Sequence, residues 1–176
     1  RHTQVRHANE LTLPGRAFGQ TSLNRGLDSP LSRLWTPAGN GQWFGQYETS
    51  HDGLDAAASP ALGAGQQSRI TSTFEGPGTL TFWWKVSSLS NSGLLTLLIN
   101  DVSQPSSISG TGADWVQRSI VLPAGPQRVA WRYSRNSTST TAGDNRGYVD
   151  QVAFSGDVTA AFIYQTWVSE QFTTAE

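Results

Sequence analysis

Cysteine and methionine are absent from all 176 residues, and Lys85 is the single lysine. Without cysteine there is no disulfide framework and no thiolate metal site. Such a chain is compatible with bacterial export, where oxidation-prone side chains are a liability. Charge is sparse as well: 14% of the residues are charged and the net charge is -1. That leaves neither a basic field for nucleic acid nor an acidic tail. No apolar run approaches the roughly 20 residues of a membrane-spanning helix, so membrane insertion is not expected. No signal peptide opens the chain, so an exported origin implies one already removed. Histidine is limited to His2, His7 and His51. "RHTQVRH" spaces the first two five apart, a poor metal pair, and neither a G-x-S-x-G elbow nor an H-E-x-x-H helix occurs. None of the thirteen acids sits in a setting that marks a glycosidase pair. The chain is therefore read as non-catalytic.

What is abundant is turn and strand chemistry, with 18 Gly, 8 Pro and 7 Trp. Strand-like runs punctuated by Gly/Pro turns recur from about residue 66 to 154: "QSRITSTF", "TLTFWWKVSS", "LLTLLIN", "DWVQRSIVLP", "RVAWRYSRN" and "YVDQVAF". "GQWFGQYE" and "LDAAAS" add two earlier short strands. Short strands without intervening helices predict an all-β antiparallel jelly-roll sandwich. Side chains alternate between faces along a strand, which puts Phe82, Trp84, Trp131 and Tyr133 inside and Trp83 on the opposite face. Residues 1–20 are expected to form a tail or an edge strand, and 21–157 the sandwich. In "TAAFIYQTWVSEQF", Ala161, Tyr164 and Val168 recur at helical spacing, so 158–176 are expected to form a short C-terminal helix or linker.

The motifs "WFGQ", "HDGLDAA", "GPGTLTFWWKVSS" and "GYVDQVAF" together resemble a module repeated in large exported bacterial proteins. The likeness spans about residues 27 to 154 and is similar to jelly-roll modules of the MAM and carbohydrate-binding type. The resemblance implies a non-catalytic adhesion or carbohydrate-binding module, secreted or at the bacterial cell surface, often with one structural calcium ion. Its partners would be a glycan or a neighbouring protein module. The alternative is a structural module that assembles chains into a surface layer or filament, with the N-terminal tail added to a neighbour's sheet edge. An accessory domain of a hydrolase is a third reading.

Two groups of residues carry the candidate chemistry. Calcium takes six to eight oxygen ligands. Asp52 and Asp55 flank a glycine in "HDGLDAA", and Asp150 falls in the last strand. Alternation places Asp150 beside Tyr148, Val152 and Phe154, among apolar neighbours. A carboxylate there needs compensation by a cation, by Arg132 or Arg146, or by backbone amides. The second group is aromatic. Trp35 and Trp43 flank "TPAGNGQ", Trp115 starts a strand, and Trp83 shares an outward face with Lys85 and, in this reading, Arg132. An indole stacks on the C–H face of a sugar while polar neighbours take its hydroxyls. Trp83 is better suited to carry the C-terminal helix through Tyr164 or Trp167, which leaves the loop tryptophans as the favoured platform.

Overall fold

The structure, a computed structural model, describes residues 19–111, 114–138 and 140–157. Nearly all of the expected tail, and the helix expected over 158–176, lie outside these residues. Residues 155–157 form a helical turn. In chain order the elements are β1 (Gln20–Thr21), α1 (Leu23–Gly26), β2 (Thr36–Gly39), β3 (Phe44–Gln46), β4 (Ala56–Ala58), β5 (Gln67–Ser87), β6 (Gly93–Ile99), β7 (Val102–Ser103), β8 (Val116–Arg135) and β9 (Arg146–Phe154).

Two of these strands join segments that the sequence punctuation divides. β5 runs through "EGPG" and β8 through "PAGPQ". They pair antiparallel along almost their whole length, with a register shift between Gly76 and Gly78. The glycines and prolines at these points bend the paired strands rather than end them. Each long strand thereby serves both layers of the sandwich. The first halves of β5 and second half of β8 join β2, β6 and β7 in one sheet. Their remaining halves join β9, β4, β3 and β1 in the other. All pairings are antiparallel, and β1 closes an edge within this chain. The result is the expected jelly-roll sandwich.

The layers meet where alternation places them. Phe82, Trp84, Trp131 and Tyr133 are all buried. The Phe82 and Trp131 rings come from opposite layers and meet edge to face, centroids 5.1 Å apart. Phe82 and Trp84 make a second such contact at 5.5 Å. Buried aromatic pairs of this geometry add to the hydrophobic gain of their area.

One parity reading fails, and the cause is local. Asp150 opposes Trp83 and Tyr148 opposes Lys85, both on the outer face of the second sheet. Phe154 opposes Leu80, on the inner face. Between them β9 slips register at Gln151, whose φ is +50°. An extra residue in one strand reverses the face of everything beyond it. Asp150 therefore shares a face with Tyr148, but Val152 and Phe154 belong to the core.

Candidate functional site

The outer face of the second sheet carries Trp83 and Asp150 side by side. It is covered by the loop between β3 and β4, which the sequence holds down at both ends. At its start, the Gln46 amide donates to the Thr49 carbonyl and its oxygen accepts from the Glu48 and Thr49 N–H groups, at 2.6, 2.7 and 2.8 Å. Further on, the Asp52 carboxylate accepts from the Leu54 N–H at 2.7 Å, closing a turn at Gly53, whose φ is +86°. Between these, the His51 N–H donates to Asp150 Oδ2 at 2.6 Å. His51 Nδ1 lies 2.7 Å from Gln151 Oε1. The imidazole then lies flat on the Trp83 indole, centroids 3.6 Å apart and planes 14° apart. Trp115 meets the His51 ring edge to face at 6.2 Å, and Tyr148 at 6.4 Å. Four rings thus adjoin one buried carboxylate. Trp83 and Trp115 remain half-buried rather than closed off.

The carboxylates assemble from three separate stretches. α1 is capped by Ser22, whose hydroxyl accepts from the Arg25 N–H at 3.2 Å. The chain leaves it through Leu27, whose carbonyl accepts from the Val152 N–H at 2.9 Å. Asp28 follows at φ +53°. Oxygens of Asp28, Asp52 and Asp150 lie within 4.8 Å of one another, the one such acidic group among the described residues. Asp150 is fully buried, and its Oδ1 has no hydrogen-bond partner. Burial raises its pKa from 3.8 to about 6, against the lowering by the His51 and Gln151 amides. Asp28 is also raised, by burial first and then by Asp52 and Asp55.

Asp52 and Asp150 come together as the sequence suggests, while Asp55 does not join them. It is buried and held by the Arg25 guanidinium at 2.9 Å, with Arg25 also placed over the Tyr47 ring. Its place in the cluster is taken by Asp28, which "GLDSP" presents as an ordinary turn residue. Neither arginine considered for Asp150 reaches it. Arg146 donates to the Ser59 carbonyl, and Arg132 stands on the other sheet, so it does not share a face with Trp83. Three carboxylates with one orphaned, buried oxygen form a donor set for a hard cation, with carbonyls and water left to complete its shell.

The loop tryptophans divide differently. Trp43 is only 4% exposed and packs in the core, which removes it as a binding platform. Trp35 leans on Trp131 and Phe74, with its indole N–H donated to the Ser29 hydroxyl at 3.0 Å, so it too is packing. The cover expected on Trp83 from Tyr164 or Trp167 lies outside the described residues. The described cover is His51.

Without metal, stability should fall as pH rises from about 4 to about 6. Asp150 binds its proton more tightly folded than unfolded, so its contribution is present at low pH and lost through its folded pKa of about 6. Melting temperature measured in chelator across this range should decline toward pH 6, after subtraction of the same profile for Asp150→Asn. A difference profile that rises would contradict the placement of Asp150.

No family model matches the chain, and no curated protein is similar to it. Among solved structures, the secreted serine protease VesC from Vibrio cholerae is 20% identical over 65% of this chain, with a TM-score of 0.49. This chain spans only 24% of that one. TmCBM61, solved in complex with β-1,4-galactotriose, is 16% identical, with a TM-score of 0.52 over 76% of this chain and 92% of that one. The K3 cleaved adhesin domain of Lys-gingipain from Porphyromonas gingivalis w83 is 16% identical, with a TM-score of 0.52 over 78% and 98% of the two chains. At these identities the likeness establishes the β-sandwich fold.

Proposed function

We propose that the chain is a non-catalytic glycan-binding or adhesion module of an exported bacterial protein, with Asp28, Asp52 and Asp150 holding one calcium ion. The observation that carries this reading is the joining of the acidic cluster to the aromatic one through His51. Its backbone N–H is bonded to Asp150 and its ring is stacked on Trp83. A cation bound by Asp52 and Asp150 would fix the loop between β3 and β4 against β9, and with it the ring that covers Trp83. The platform for sugar is then Trp115 with the free edges of Trp83 and His51, flanked by Lys85 and Gln117. Lys85 stands opposite Tyr148 and Gln117 opposite Trp83.

The TmCBM61 and adhesin-domain likenesses support a binding role and make a β-1,4-galactan the first probe. No helix among the described residues is long and apolar enough to cross a membrane. Tryptophan fluorescence titrated with galactan, xylan and mixed β-glucans in calcium should change with one of them. Trp115→Ala should weaken that binding by about tenfold or more, the loss of one stacking contact of roughly 1.5 kcal/mol. No change with any neutral glycan would remove this platform from the account.

A further inference from the structure

The outer face of the first sheet carries a different chemistry. Alternation leaves Arg69, Thr71 and Thr73 of β5 facing outward beside Arg128 and Arg132 of β8. Arg69 and Arg132 are directly cross-strand, flanked by Ala38 on one side and Thr96 on the other. Like charges directly opposite in a sheet repel. A fold with no use for them would separate or pair them. Here only one acid intervenes: the Asp101 carboxylate accepts from Arg69 at 3.3 Å and from Arg128 at 2.8 Å. Glu75 follows further along β5 and forms no ion pair among the described residues. Among the described residues no hydrogen bond or ion pair takes up the Arg132 guanidinium, and its buried Nε is without a partner. A buried N–H without an acceptor is costly to the folded state and is relieved by an acceptor that reaches it.

Space for that acceptor is already present. A hollow of about 270 Å³ is lined by Ala38, Gly39, Gln67, Ser68, Arg69 and Arg132. A wider groove of about 700 Å³ takes in Thr71, Thr73 and Arg128 of the same face. The neighbouring Arg33 is already neutralised by both oxygens of Asp157. No aromatic side chain stands on this face of β2, β5, β6 or β8 within the first sheet, so sugar stacking is not its mode. Guanidinium forks bind carboxylate and sulfate oxygens two at a time, and threonine hydroxyls beside them suit sugar hydroxyls.

We propose that this face binds an oxyanion group of an acidic polysaccharide, a carboxylate or a sulfate ester, between Arg69 and Arg132. The proposal rests on the glycan-binding reading above but uses the opposite face of the sandwich. Arg69, Arg128 and Arg132 outnumber Asp101 and Glu75 on this face by one, which suits a polymer with one charge per sugar. A polynucleotide, with its much denser phosphates, is met by more cations than this face offers.

The test is titration calorimetry of the calcium-loaded protein with polygalacturonate, dextran sulfate, neutral galactan and a short single-stranded DNA. Wild type is compared with Arg132→Gln, Arg69→Gln and Trp115→Ala. The expected result is binding of polygalacturonate or dextran sulfate, the preferred polymer telling carboxylate from sulfate. That affinity should fall as salt rises from about 50 to about 200 mM. Each arginine variant should weaken it about tenfold or more, as loss of a charged hydrogen-bonding partner does. The melting temperature of Arg132→Gln should equal or exceed that of wild type, because a like-charge pair is removed without breaking an ion pair. Trp115→Ala should leave acidic-polymer binding unchanged. The proposal is overturned if neither acidic polymer binds, if Arg132→Gln binds it as well as wild type does, or if DNA binds as tightly. Galactan binding that depends on Trp115, without acidic-polymer binding, would sink this proposal and leave the aromatic platform standing. The reverse pattern would do the opposite.

Discussion

Trp84→Ala is expected to lower unfolding free energy by about 3–5 kcal/mol, the range for truncating a fully buried large aromatic. Trp84 is 1% exposed and touches Phe82 edge to face, so the substitution opens a void between the layers that rigid sheets cannot close. Trp83→Ala, next to it on the half-buried outer face, should cost roughly 1 kcal/mol. The pair is decisive together, because the two residues differ in face rather than in size. Urea titrations followed by far-ultraviolet circular dichroism would show both midpoints moving with slopes unchanged. Equal losses at the two positions would contradict the assigned register of β5.

Removing calcium should have the second large effect. A ligand bound only by the folded state stabilises it by about 2.7 kcal/mol at a hundredfold excess over its dissociation constant. For a domain of this size that is roughly 5–10 °C in melting temperature. Chelation should reverse it, and Asp150→Asn should abolish the difference. The same variant should be at least as stable as wild type in chelator at neutral pH. A buried carboxylate with an orphaned oxygen and a pKa pushed to about 6 is ionised there at a cost, and the neutral amide removes it. A purely structural role for Asp150, such as holding the His51 amide, would instead make the variant weaker under every condition.

The sandwich was legible because its core residues obey a local rule. Phe82 and Trp84, or Trp131 and Tyr133, are two apart, and alternation alone puts them inside. Strand length was not legible, since Gly76 and Gly125 look like ends of strands where the ladder in fact bends and continues. Alternation marks Asp150 as an acid among apolar neighbours, and it is buried with one oxygen unpartnered. Alternation pairs it correctly with Tyr148 but not with Val152 and Phe154, because Gln151 at positive φ resets the face, and glutamine carries no signal for that. Asp28 could not be found by spacing. It reaches the cluster only because α1 and the Leu27–Val152 hydrogen bond bring a distant turn across β9. Trp83 poses the same problem, for its partner His51 belongs to a loop whose position depends on Asp150. Residues that act together here are adjacent through the sheet, not along the chain.

A cation held by Asp28, Asp52 and Asp150 would lie beside the Trp83–His51 stack, within reach of energy transfer from an indole. Terbium takes calcium's oxygen sites and emits strongly only when a nearby excited indole passes energy to it. Excitation of tryptophan in the terbium-loaded protein should give sensitised terbium emission that calcium competes away. Asp150→Asn should lose the emission, and Trp83→Phe should reduce it while still binding the ion. No sensitised emission from the wild type, or emission undiminished in Asp150→Asn, would contradict the claim.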